Sequence, residues 1–171
     1  MPLQLALGRE SMLQRRDRQV SIEDFAIRFE SRPIHDPEGW TYAIGRIIVG
    51  DFHEPFEAIL DYWDREAYAT QWRSAARLLA NGSERALFLT SYRGPGAAYH
   101  FGWPAWRQAD RVILRNWFIR TEQLESSFNP DRAHDIVGAL QLDADDQPPS
   151  EWSTTLAAIT EFAHEVPVFP A

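Results

Sequence analysis

The sequence contains no cysteine and no long apolar run. Without cysteine the protein cannot form disulfides, cysteine-ligated zinc sites or iron–sulfur clusters, and it has no cysteine nucleophile. No apolar stretch approaches the roughly 18 residues that a transmembrane helix requires. The N-terminus also lacks a signal-peptide pattern, since its arginines follow the short apolar patch and no small-residue cleavage site comes after it. These absences favour a cytoplasmic protein that does not span a membrane.

Lysine is absent as well, so all 17 basic residues are arginine, and they face 25 acidic residues for a net charge of −8. Residues 1–20 hold four arginines and two acids, a charge of +2, which leaves −10 for the remaining chain. An acidic body repels a phosphate backbone, which argues against direct nucleic-acid binding, and it favours fast association with a basic partner. Solubility alone also accounts for such a balance.

The length of 171 residues, of which 44% are hydrophobic and 25% charged, is typical of one soluble domain. Residues 1–22 are polar and arginine-rich without clear periodicity, and we interpret them as a flexible tail or as sequence upstream of a start at Met12. We therefore expect a single domain over residues 23–171.

Alternating apolar residues predict a strand at Phe25–Phe29, a second at Thr41–Val49 and a third at Phe56–Asp61. The spacing of the next apolar residues predicts a helix that Asp64 caps and that Asn81 and Gly82 close. Three further strands are predicted at Arg85–Tyr92, Ala98–Trp106 and Arg111–Ile119. A loop-rich stretch over 120–149 and a second helix from Ser153 to Glu165 follow them. The order is βββα-βββα. It predicts an α+β fold with an antiparallel sheet of about six strands covered by two main helices.

Three histidines stand near an acid in the sequence, in the pairs His35-Asp36, Asp51-x-His53 and His134-Asp135. A carboxylate can orient an imidazole for acid–base catalysis, but neighbours in turns point in different directions, and surface turns commonly contain both residue types. No HExxH motif, nucleophile elbow or phosphate-binding loop is present. The sequence therefore gives no positive argument for an enzyme, a metal site or a cofactor.

Aromatic residues recur on one face of the predicted strand 98–106, at Tyr99, Phe101 and Trp103. Such a stripe could stack single-stranded bases, and four arginines lie close by in sequence: Arg107, Arg111, Arg115 and Arg120. Aromatic residues dominate protein cores, however, and we expect this stripe to pack under a helix.

Acidic residues form two groups that either make a solvated face or dock a basic protein. The first lies on the third strand and just after it, and the second lies in the late loop; together they are Glu54, Glu57, Asp61, Asp143, Asp145 and Asp146.

The pattern over about residues 25–164 resembles the immunity proteins of bacterial contact-dependent growth inhibition systems, the CdiI proteins. The matching segments are Phe29-x-Ser31-x-Pro33-Ile34-x-Asp36, Ile44-x-x-Ile47-x-Val49-x-Asp51-Phe52, Leu60-x-Tyr62-Trp63-Asp64 with Tyr68 and Trp72, Phe101-x-Trp103, Val112-x-Leu114-x-Asn116, and Ser150-Glu151-Trp152 with Leu156.

This resemblance implies a cytoplasmic antidote that binds the C-terminal toxin domain delivered by a neighbouring cell and blocks its active site. It also implies an α+β fold similar to the Whirly single-stranded-DNA binders, which keeps a nucleic-acid-binding protein as the alternative. The toxins of such systems are commonly nucleases with basic substrate sites, which an acidic inhibitor can occupy by mimicking phosphate.

The resemblance implies no catalytic residues and does not locate the interface. We assign the shared aromatics to the core, namely Tyr62, Trp63, Tyr68, Trp72, Trp103 and Trp152. From charge alone, we predict that the toxin contacts the two acidic groups, Glu54, Glu57 and Asp61 together with Asp143, Asp145 and Asp146.

Overall fold

The computed structural model describes residues 24–140 and 150–171, which form an α+β fold with two antiparallel sheets. The element bounds are β1 Phe25–Phe29, β2 Ile34–His35, β3 Thr41–Val49, β4 Phe52–Ile59, α1 Arg65–Ala80, β5 Arg85–Ser91, β6 Tyr99–Gln108, β7 Arg111–Arg115, β8 Trp117–Arg120, β9 Glu151–Thr155 and α2 Leu156–His164. Two short 3-10 segments, Thr121–Gln123 and Pro130–Ile136, follow β8. The α+β class is confirmed, although the strands form two sheets instead of one.

The first sheet is centred on β3, which pairs with β4 along one side and with β1 and β2 on the other. Gly50 makes the tight turn between β3 and β4 at a φ of 59°, a conformation that glycine adopts without steric cost. Strand β4 begins at Phe52, four residues before the predicted start, because Phe52 and Phe56 both pack against the core.

The second sheet is centred on β6, and the strand predicted over Arg111–Ile119 is in fact two strands. Strand β7 pairs with the C-terminal half of β6, and β8 pairs with its N-terminal half. The prediction of one strand was wrong because both halves are rich in β-branched and other apolar residues typical of strands, and the break at Asn116 has no proline or glycine signal.

Helix α1 follows the prediction closely: the Asp64 side chain accepts a hydrogen bond from Ala67 N at 2.7 Å, and Asn81 caps the other end. The second helix starts later than predicted, since Glu151–Thr155 form strand β9 beside β7. Thr155 then caps α2 by accepting a bond from Ala158 N. The β-branched pair Thr154 and Thr155 favours the extended strand over the first helical turn.

One core lies between the two sheets and both helices. Rings from different elements meet there, including Phe25 with Phe88, and Phe52 with Trp103 and Trp152. A second, smaller core lies on the other face of the second sheet, where Ala133 and Val137 cover Leu87 and Leu89. Both faces of β5 are therefore buried, whereas one end of β6 and β8 reaches the surface.

Candidate functional site

The exposed end of the second sheet carries a cluster of three aromatic rings from β6 and β8. Ring centroids of Tyr99 and Phe118 are 5.0 Å apart, those of Phe101 and Phe118 5.2 Å, and those of Tyr99 and Phe101 5.7 Å. Phe101 is 36% exposed and Phe118 42%. The expectation that the stripe packs under a helix is therefore wrong for Tyr99 and Phe101, because α1 packs on β5 and α2 packs on β7 and β9. Trp103 does lie in the core, but the rings that contact it, Phe52 and Trp152, come from strands β4 and β9.

Two arginines extend this cluster across the surface. The guanidinium carbon of Arg93 lies 4.7 Å from the Tyr99 ring centroid and 5.6 Å from that of Trp40, which precedes β3 in the first sheet. The guanidinium of Arg120 lies over Phe118 at 5.6 Å. Planar guanidinium groups stack favourably on aromatic faces. We call this surface the aromatic–arginine patch, and its members are Trp40, Arg93, Tyr99, Phe101, Phe118 and Arg120.

Tyr62 and Asp61 lie at the border of this patch. The Tyr62 ring covers Gly94 so closely that a Cβ at this glycine would come within 2.4 Å of the ring. The adjacent Asp61 carboxylate accepts a hydrogen bond from Thr41 N, next to Trp40, at 3.1 Å. Tyr62 is 52% exposed, so its assignment to the core is wrong. Of the other five aromatics so assigned, Tyr68, Trp72 and Trp103 are buried, and Trp63 and Trp152 are partly buried against the core.

The predicted acidic residues fall at different places. Glu54 is half-buried and accepts a hydrogen bond from Asn116 Nδ2 at 2.9 Å, which ties β4 to the corner between β7 and β8. Glu57 is exposed on the opposite face of β4, because residues three apart on a strand point to opposite sides. Asp61 is exposed beyond the end of β4. The second group, Asp143, Asp145 and Asp146, and the predicted tail 1–22 lie outside the described residues.

Three of the four arginines proposed for base stacking are held elsewhere. Arg107 donates to Leu79 O at 2.9 Å, Arg111 to the Ser153 hydroxyl, and Arg115 to the Glu151 carboxylate at 2.9 Å. Only Arg120 among these four adjoins the exposed rings. Arg93, which sequence reasoning missed, provides the other cation there.

The histidines of the three sequence pairs bond to groups other than their acidic neighbours. His35 Nδ1 lies 3.0 Å from the Thr41 hydroxyl, and His53 Nδ1 lies 3.0 Å from an Arg46 nitrogen. His134 Nδ1 accepts a hydrogen bond from Leu87 N at 3.0 Å, and burial lowers its pKa. None of these three bonds joins a histidine to its acidic neighbour in the sequence pair.

A different histidine, His100, lies directly beneath the patch. It is 1% exposed, stacks with Tyr92 and Phe128, and its Nδ1 accepts a hydrogen bond from Arg93 N at 3.1 Å. Burial, together with the Arg93 charge, lowers the pKa of His100 to about 4. The ring is therefore neutral at neutral pH and serves as an acceptor that fixes the backbone of Arg93.

A cleft of about 620 Å³ lies beside the 3-10 segments. Three of its charged groups are engaged, since Asp135 pairs with Arg132 at 2.7 Å and Arg85 donates to Val137 O at 3.0 Å. Within 24–140 and 150–171, no three histidine or acidic side chains gather closely enough to hold a metal ion. No α-helix in the same residues has the length and apolar character to cross a membrane.

Comparison with known proteins gives one consistent result. The model of the "CdiI N-terminal domain" family matches residues 58–162. The immunity protein CdiI of Enterobacter cloacae subsp. cloacae is 26% identical over 144 residues, which cover 83% of this chain and 98% of that protein. The fold resembles a chain in the solved CdiA-CT/CdiI toxin and immunity complex from Enterobacter cloacae, with a TM-score of 0.73 and 24% identity over 82% of this chain and 96% of that one.

Proposed function

The chain belongs to the CdiI N-terminal domain family, and on this premise we propose that it is an immunity protein that binds and neutralises the toxin domain of a contact-dependent growth inhibition system. The family match carries the proposal, since it covers 105 consecutive residues from the end of β4 through most of α2. The related fold belongs to a toxin and immunity complex. The chain would act as a binding protein without catalytic residues of its own, in the cytoplasm, where it would meet an incoming toxin.

The test is calorimetry with the toxin domain encoded immediately upstream of this protein's gene, alongside a toxin domain from an unrelated system. We expect nanomolar binding of the first, loss of its toxic activity in the complex, and no binding of the second. Equal binding of both domains, or binding that leaves the toxin active, would contradict the proposal.

The chemistry of the partner follows from charge. A net charge of −8 attracts a basic surface, and a nuclease that binds a phosphate backbone presents one. We therefore extend the proposal to a nuclease toxin, contacted by the acidic residues Glu57 and Asp61, which are exposed. Glu54, bonded to Asn116, and the acids of 143–146 complete the proposed acidic set.

Charge reversal tests this acidic surface. The double variant Glu57→Lys/Asp61→Lys is expected to slow association with the toxin domain about tenfold at low salt, because charge complementarity acts mainly on the association rate. Added salt is expected to reduce the difference from the wild type. The matched control, Glu84→Lys/Glu161→Lys, changes the net charge equally at exposed positions in the α1–β5 loop and on α2. If both variants associate equally slowly, net charge and not this surface steers the encounter.

Single-stranded nucleic-acid binding is the second candidate, because exposed rings flanked by arginines also occur on base-stacking surfaces. The observation that favours it is the Tyr99, Phe101 and Phe118 cluster with Arg93 and Arg120. Titration of a labelled single-stranded oligonucleotide at low salt tests it. Tight binding with a steep salt dependence would support this function, and no binding would remove it.

A further inference from the structure

Most of the large apolar side chains that the described residues leave exposed lie in one region. Seven such residues are exposed, and four of them are Trp40, Tyr62, Phe101 and Phe118. Arg93 and Tyr99 link Trp40, which precedes β3 of the first sheet, to Phe101 and Phe118 of the second, and Tyr62 rests on Gly94, next to Arg93. Contiguous exposed apolar surface on a soluble protein commonly marks an interaction site.

This surface contains the residue types that are typical of the centre of a protein–protein interface. Tryptophan, tyrosine and arginine are the residue types most enriched among the few side chains that carry most of the binding free energy between proteins. Aromatic residues and arginine are enriched across interfaces generally, while lysine is depleted. The patch contains one tryptophan, one tyrosine, two phenylalanines and two arginines, with Tyr62 at its border.

The patch is also held in place before any partner arrives. The Arg93 guanidinium lies over the rings of Trp40 and Tyr99, and the Arg93 backbone N–H donates to buried His100. Trp40 N donates to the Asp36 carboxylate at 2.9 Å, and Tyr62 rests on Gly94. Side chains that are already ordered lose less conformational entropy on binding, which favours affinity.

The charges around the patch indicate a basic protein as its occupant. The Asp36 carboxylate accepts a hydrogen bond from Trp40 N, and the Asp61 carboxylate accepts one from Thr41 N. Glu38, which is exposed, lies in the turn between Asp36 and Trp40. These acids form a rim that would repel a phosphate backbone but attract lysine and arginine side chains. The arginines that a nucleic acid would need along β7 bond within the protein instead.

We propose that the aromatic–arginine patch is the desolvated centre of the toxin-binding surface, with Asp61, Asp36 and Glu38 at its acidic rim. This inference rests on the proposed function and names the side chains that would bind a toxin domain presenting an apolar centre ringed by basic residues. The acids set the rate of encounter, and the rings hold the complex together.

The test compares alanine variants of the patch in surface-binding kinetics with the upstream-encoded toxin domain. Trp40→Ala and Phe118→Ala, which truncate rings in the turn before β3 and on β8, are each expected to weaken binding about 30-fold or more, mainly through faster dissociation. The matched control is Leu78→Ala on α1, since Leu78 is 37% exposed, as Trp40 is, and lies outside the patch. It is expected to change the affinity less than about threefold.

The outcomes separate the two proposals. If the wild type fails to bind the toxin domain, the proposed function fails and the inference with it. If the wild type binds and both folded patch variants keep its affinity, only the inference is overturned. Thermal unfolding checks each variant, and if Phe118→Ala does not fold, Trp40→Ala decides alone because it lies in a surface turn. Oligonucleotide binding by the wild type that Phe118→Ala abolishes would overturn the inference in favour of nucleic acid.

Discussion

At the scale of single residues, His100 shows how a buried polar group supports an exposed one. Its ring packs against Tyr92 and Phe128, and its Nδ1 accepts a hydrogen bond from the backbone N–H of Arg93. A charged imidazole at this position would lose hydration and face the Arg93 guanidinium, so the folded state keeps His100 neutral with a pKa of about 4.

This lowered pKa predicts a loss of stability in acid. The unfolded chain binds a proton at this histidine near pH 6.5, whereas the folded chain binds it only near pH 4. The contribution is thus fully present above pH 6.5 and is lost as the pH falls to 4, at a cost of about 1–3 kcal/mol. His134, whose pKa is also lowered, acts in the same direction.

Urea denaturation at several pH values measures this effect. His100→Asn, which keeps an acceptor for Arg93 N, is expected to show a shallower loss of unfolding free energy between pH 7 and pH 4 than the wild type. His35→Asn, at an exposed position, is expected to follow the wild type. An unchanged pH dependence in His100→Asn would contradict the conclusion that protonation of His100 destabilises the folded protein in acid.

At the scale of elements, α1 protects the outer edge of β5. The amide of Gln71 donates to Leu87 O at 2.7 Å and accepts from Leu89 N at 3.0 Å, as a neighbouring strand would. Trp72 Nε1 adds a bond to Leu89 O at 2.6 Å. Unpaired strand edges invite pairing with other chains, so this helix both fills the core and closes the sheet.

Gln71→Ala is expected to lower the free energy of unfolding by about 2–4 kcal/mol, because it leaves a buried donor and a buried acceptor unsatisfied. Chemical denaturation measures the change. Ser74→Ala, on the exposed side of the same helix, is the control and is expected to stay within about 0.5 kcal/mol of the wild type. A similarly small effect of Gln71→Ala would mean that water replaces both bonds.

At the scale of the whole molecule, the two sheets share one core. Phe52 of the first sheet stacks on Trp152 of the second at a centroid distance of 4.0 Å, and Phe25 meets Phe88 at 5.3 Å. A hydrogen bond from Asn116 to Glu54 also joins the two sheets at the surface. Neither sheet can separate from the other without exposing these rings to water.

The shared core predicts a single cooperative unfolding transition. Denaturation curves followed by far-ultraviolet circular dichroism and by tryptophan fluorescence are expected to coincide, and Phe52→Ala is expected to shift both midpoints downward together. Two separated transitions, or a shift in only one signal, would show that the sheets unfold independently.

Local patterns in the sequence were sufficient for much of the fold. Alternation at Phe25–Phe29 and Thr41–Val49, and the capped 3.6-residue period after Asp64, predicted these elements to within one or two residues. Such patterns succeed because each records which face of one element is buried. The scattered aromatics, together with the order of elements, also indicated the family that the comparisons support.

The partition of strands into two sheets and the exposure of the aromatic stripe depended on the tertiary structure. The alternation of Tyr99, Phe101 and Trp103 shows that they share a face, but it does not show what covers that face. Trp103 is buried because Phe52 and Trp152 reach it from other elements, whereas the rings that contact Phe101 among the described residues are those of Tyr99 and Phe118 on β6 and β8. Burial is decided by residues far apart in the chain, and so only the folded protein brings Arg93 and Trp40 to these rings.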